Sequence, residues 1–148
     1  MTDVRFYHLT RRSIQQALPD LLEKTLQKGW RAVVRVADEG EVEPLAKLLW
    51  TEKAESFLPH GSAKDGRAAD QPIWITAKEE RPNDAGVLFL IGGAEQESMN
   101  DFDLVCEVFD GAEEQQVDAA RAKWKALQKT DHNLTYWQQT ESGWEKQG

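Results

Sequence analysis

Residues able to do chemistry are few in this chain and scattered along it. Three histidines stand at His8, His60 and His132, and a single cysteine at Cys106. No histidine has a second His or a Cys at metal-ligand spacing, so a zinc centre has no ligand set. His60 lies in LWTEKAESFLPHG, residues 49–61, beside a serine and glutamates that could serve a general base. Its neighbours Pro59 and Gly61 favour a hydrogen-bonded turn residue instead. Cys106, in DLVCEVF, adjoins no cation that would favour a thiolate and reads as an inert buried thiol. One cysteine also excludes an intramolecular disulfide.

Phosphate-binding loops fare no better. Gly61 and Gly66 have the glycine spacing of a P-loop, which continues with Lys and then Ser or Thr to reach the phosphates and magnesium. Arg67 and Ala68 fill those places here. A dinucleotide fingerprint would need a Gly-rich turn after the first strand, where this chain has HLTRRS. No GxSxG nucleophile elbow is present. Gly92-Gly93 follows an apolar run, the position at which open α/β sheets bind ligands, and is more simply a tight turn. No catalytic residue, metal ligand or cofactor is expected from these motifs.

The elements that would position any site follow from periodicity. RFYHL, Arg5 to Leu9, suits a first strand. SIQQALPDLLEKTLQKG carries Ile14, Ala17, Leu18, Leu21, Leu22 and Leu26 at helical spacing, with Ser13 as N-cap and Gly29 just past the end. Pro19 predicts a kink, or a helix that starts near it. RAVVRVAD is a second strand, and Val42, Leu45, Leu48 and Leu49 mark a second helix. A polar, Gly-rich loop over 61–71 precedes three further strands: PIWITA, GVLFLIGG and DFDLVCEVFD. GVLFLIGG, apolar without alternation, fits a strand covered on both faces. EEQQVDAARAKWKALQKT is the last helix, with acids in its first turn and lysines near its end. NLTYW continues as an ordered aromatic segment, and the tail from about 140 to 148 is expected to fray. Alternating strands and helices predict an α/β fold with a mainly parallel sheet flanked by helices.

At 148 residues the chain is sized for a single domain over 1–148. Its net charge of −8 argues against wholesale nucleic-acid binding, which needs a basic field. The N-terminus lacks the apolar stretch of a signal peptide, and GVLFLIGGA is too short to cross a bilayer, so a cytoplasmic protein is expected.

Two stretches suit partner recognition. Arg121, Lys125 and Lys129 recur every four residues and line one helical stripe, while Val117, Ala120, Trp124 and Leu127 line another. A basic stripe edged by Trp124 could hold an acidic peptide that also carries a ring; a solvated helix face is the plainer account. In LWTEKAESFLPHG, Trp50 ends an apolar helical face, and Phe57, Leu58 and Pro59 are equally a buried plug or an exposed partner patch.

Taken together, RFYHL, LLWTEKAESFLPHG and ARAKWKALQKTDHNLTYW resemble, in order and spacing, the chi subunit of bacterial DNA polymerase III. The resemblance implies a Rossmann-like domain without nucleotide binding or catalysis. It implies an accessory role linking the clamp loader, through the psi subunit, to the acidic, phenylalanine-ending C-terminal tail of single-stranded DNA-binding protein. DNA would then be reached only indirectly. By the same resemblance the tail site comprises Arg121, Trp124, Lys125, Lys129 and Tyr136. Trp124 stands where the family often has tyrosine, and Gln128 where a further basic residue can occur. The psi surface comprises Trp50, Phe57, Leu58, Pro59 and His60. Two other readings stay open: a generic module for some other acidic peptide, and a small-molecule enzyme at Gly92-Gly93, which would need a ligand pocket there.

Overall fold

Val87–Ile91 is five apolar residues in a row, a pattern suited to a strand packed on both sides, and all five are buried. Around this strand a computed structural model describes residues 2–10, 14–52, 72–78, 80–91, 94, 102–130, 132–140 and 143–146, the side chains of 15 and 49–52 excepted. The strands are β1 (Asp3–Leu9), β2 (Ala32–Arg35), β3 (Ile73–Thr76), β4 (Val87–Ile91), β5 (Leu104–Asp110), β6 (Asn133–Thr140) and β7 (Gly143–Lys146). They form one sheet in the order β3-β2-β4-β5-β1-β6-β7. Every pairing is parallel except the last, β6 with β7. The α-helices among the described residues are α1 (Ile14–Gln27), α2 (Val42–Glu52) and α3 (Glu114–Leu127). This is the mixed α/β fold with a mostly parallel sheet that the alternation of patterns predicts.

Side chains alternate across the sheet, which gives it two cores. Tyr7, Val34, Phe89 and Cys106 face α1 and α2 and meet Leu18, Leu22 and Leu45. Phe6, Val33, Leu88 and Phe109 face the other way, where α3 contributes Ala120, Val117, Trp124 and Leu127. The apolar stripe expected of α3 is therefore its packed stripe. Cys106 is fully buried, and burial pushes its thiol up to about 12, so it carries no thiolate at neutral pH.

Pro19 does not begin or break α1, which runs through it from Ile14 to Gln27. The proline lacks an N–H, so the carbonyl four residues back, in the first turn, loses its partner. An interior proline costs about 3 kcal/mol. Ile14, Ala17, Leu18 and Leu22 are all buried on the sheet, and each large side chain among them contributes about 1.5–3 kcal/mol, so packing outweighs the proline. The helix does stop where Gly29 was expected to stop it. Gly29 has φ +77° with open space beside it, so backbone conformation rather than room selects glycine. The N–H groups of Gly29 and Trp30 close onto the carbonyls of Leu26 and Thr25, which satisfies two helix-end acceptors.

The tail departs from expectation. Gly143–Lys146, expected to fray, pairs with β6 from Trp137↔Lys146 to Thr140↔Gly143. Trp144 supplies the reason, since its ring packs edge-on against Tyr7 at 5.0 Å and joins the core on the α1 side. Ser13, the loop over 61–71 with its Gly61–Ala68 stretch, and Gly92-Gly93 lie outside the described residues, as do Phe57, Leu58, Pro59 and His60.

Candidate protein-interaction site

Strand register sets one row of side chains across the α3 face of the sheet: Thr76, Arg35, Leu90, Glu107, Phe6 and Tyr136. α3 lies over the half that ends in Phe6 and Tyr136. Its residues at i and i+1 turn to different jobs there. Lys123 points inward and pairs with Glu107, Nζ to Oε1 at 2.9 Å, and also donates to the Ala94 carbonyl. Glu107 is only 3% exposed and Lys123 16%, so each charge is held by the other in a largely dry setting. Lys123 falls off the basic stripe in the sequence, and this pairing is what it does instead.

Trp124 sets its ring edge-on to Phe6 at 5.3 Å and to Tyr136 at 5.8 Å, while Phe6 and Tyr136 stack with planes 11° apart. Such geometries suit the ring quadrupoles and lock the cluster in place. Phe6 is fully buried, whereas Trp124 and Tyr136 are half-buried. Arg121 and Lys125 stand exposed on the same helix, one turn apart. Lys129 is exposed too, but α3 ends at Leu127, so the stripe continues past the helix only through a turn in which the Lys129 N–H meets the Ala126 carbonyl.

His8 was not singled out by the sequence and is central to the geometry. Its Nδ1 lies 2.7 Å from the Tyr136 hydroxyl, and its ring rests 4.9 Å from Phe109. Gly111 closes the other side, where a Cβ would come within 2.3 Å of His8 Nε2. Burial, and then the Arg121 guanidinium, hold the His8 imidazole below its ordinary range, with Asp110 opposing. Burial raises the Tyr136 phenol and Arg121 opposes that rise. Arg121, His8 and Tyr136 thus share one electrostatic neighbourhood. No sequence signal could find this, because His8 and Tyr136 are 128 residues apart.

The structure therefore brings together Arg121, Trp124 and Tyr136, with Lys125 one turn along from Arg121 and Lys129 beyond the helix end. Trp50 is in α2 by its backbone, and its side chain is not among those described. A separate crevice of about 460 Å³ opens at the carboxyl ends of the strands, lined by Ile14, Val36, Leu45 and Ile91 with Glu41 and Gln116. Among the described residues its polar groups include one carboxylate and one amide on a largely hydrocarbon lining.

Known proteins point the same way as the motifs. The family model for "DNA polymerase III chi subunit, HolC" matches residues 1–135, which takes in all of α3 and ends one residue before Tyr136. The chain is 36% identical over 91 residues to "Probable DNA polymerase III subunit chi" of Rickettsia prowazekii (strain Madrid E), across 62% of this chain and 55% of that protein. It is 28% identical over 69 residues to "DNA polymerase III subunit chi" of Escherichia coli (strain K12), across 47% of each. These alignments span about half the length of either relative. With its α/β fold and a family match over most of its length, the chain belongs to the DNA polymerase III chi subunit family.

Proposed function

We propose that this protein is a non-catalytic accessory subunit that carries single-stranded DNA-binding protein to the DNA polymerase III clamp loader. The α3–β6 face grips the partner's acidic C-terminal tail, and the region of Trp50, Phe57, Leu58, Pro59 and His60 meets the psi subunit. DNA is reached only through the bound partner, and the protein works in the cytoplasm. The observation that carries the tail site is the juxtaposition of two exposed cations, Arg121 and Lys125, with the half-buried rings of Trp124 and Tyr136. Cations receive the tail's carboxylates and the ring surface receives its terminal phenylalanine.

The energies fit a weak, reversible contact. An exposed ion pair contributes at most about 1 kcal/mol and weakens with salt. Burying one phenylalanine ring contributes roughly 1.5–3 kcal/mol. After ordering costs, affinity in the micromolar range follows.

The test is a fluorescence-anisotropy titration with a labelled acidic peptide ending in phenylalanine. Wild-type protein should bind it in a salt-sensitive way. Both the Arg121→Ala/Lys125→Ala double variant and a peptide without the final phenylalanine should lose binding. Failure of folded wild-type protein to bind would overturn the tail assignment. Binding indifferent to the final phenylalanine would leave a generic acidic-peptide module in its place.

A further inference from the structure

His8 makes a hydrogen bond whose direction depends on one proton. With the imidazole neutral and its proton on Nε2, Nδ1 accepts the Tyr136 O–H at 2.7 Å, and that O–H is unavailable to anything else. A second proton on the ring gives Nδ1 an N–H. The bond then reverses: Nδ1–H donates to Tyr136 Oη, and the Tyr136 O–H is released to point elsewhere. Its ring already lies half-buried beside Trp124 on the face that bears Arg121. The imidazole cannot simply swing away, since Gly111 and Phe109 hold it on two sides.

We infer that His8 is a proton-coupled positioning residue of the tail site, which frees the Tyr136 hydroxyl to donate to a tail carboxylate and adds a positive charge beside Arg121. This rests on the reading of the α3–β6 face as the tail site. Among the described residues, the charged and titratable groups facing His8 are Arg121 from α3, Tyr136 from β6 and Asp110 from β5. In the free protein burial, and after it Arg121, opposes protonation of His8, and Asp110 favours it. A bound carboxylate offsets the Arg121 charge and supplies an acceptor for the released hydroxyl, so both changes favour the protonated ring. By linkage, binding takes up a proton, and affinity rises as pH falls.

The experiment is the same anisotropy titration on the full chain at pH 7.5 and pH 6.0, where the peptide's carboxylates stay ionised. Wild type should bind about fivefold more tightly at the lower pH, within the usual range of coupling factors. His8→Gln keeps a polar group at the site without titrating and should flatten the pH dependence; Tyr136→Phe removes the hydroxyl and should flatten it too, by losing the extra affinity at pH 6.0. As a measurement independent of any variant, the His8 ring resonances of wild type should titrate at higher pH with peptide bound than without. Equal wild-type affinity at both pH values, or an unmoved His8 titration, overturns the role of His8 and leaves the tail site standing. No binding at either pH overturns the tail site itself, and the role of His8 with it.

Discussion

Lys123 and Lys125 stand two residues apart on α3 and have opposite fates. Lys123 turns inward, where Glu107 and the Ala94 carbonyl take its ammonium out of water. Lys125 stays at the surface with Arg121. The inner face of the helix is thus a structural device in which charge is matched within the fold. The outer face leaves charge and ring edges available to something else. The difference teaches that residue type alone says little on a helix: two positions of rotation decide whether a lysine is matched within the fold or left in solvent.

The comparison breaks most readily on the inner face. Lys123→Met takes the Lys123 ammonium away from the buried Glu107 carboxylate, and should lower stability by about 3 kcal/mol in a urea melt. Adding Glu107→Leu should restore much of that loss, because replacing both members of a buried pair with apolar groups is often neutral. Gly111→Ala comes next. A methyl there meets the His8 ring and the Leu9 carbonyl, at 2.3 and 2.5 Å from the new carbon, and one of those contacts is backbone. About 1–3 kcal/mol of stability should go, read in the same melt.

The outer face should respond in the opposite sense. Arg121→Ala and Lys125→Ala should each leave stability within about 0.5 kcal/mol, while together they weaken peptide binding at least tenfold, or about 1.4 kcal/mol. A double variant that unfolds more readily would erase the distinction between the two faces. The smallest effect is that of His8 on stability. Its folded range is depressed, so the unfolded chain holds the proton more tightly at mildly acid pH. Its contribution is therefore present above the ordinary histidine range near 6.5 and is withdrawn as pH falls through it. His8→Gln should remove that acid-side decline from a series of melts between pH 7.5 and 5.5. Peptide should reduce it in the wild type, since the bound state favours the protonated ring.

Much of this architecture is legible in short stretches of sequence. Val87–Ile91 declares a covered strand by lacking alternation, Gly29 declares a helix end, and Val117, Ala120, Trp124 and Leu127 declare which side of α3 is packed. Such features depend on residues within a turn or two of one another. Pro19 misleads because its local cost is real and is offset only by tertiary burial of Leu18 and Leu22. Trp144 is missed for the same reason, since nothing near it in sequence announces that Tyr7 will be its neighbour. In the site, Arg121, Trp124 and Lys125 could be found from helical spacing, with family resemblance giving them a role. His8 and Glu107 could not, because strand order rather than periodicity delivers them.

That strand order also dictates a sequence of events during synthesis. β1 precedes the other described strands in the chain, yet its neighbours in the sheet are β5 and β6, with Asp3 opposite Leu104 on one side and Asn133 on the other. Closing loops of that length is entropically slow, and β1 has no shorter-range partner among the described strands. β2, β3 and β4, by contrast, can assemble among themselves as soon as residue 91 has emerged. The face formed by His8, α3 and β6 consequently waits until residue 140 has emerged, long after β2, β3 and β4 can pair. A nascent chain can hold one end of its sheet well before the other end has been made.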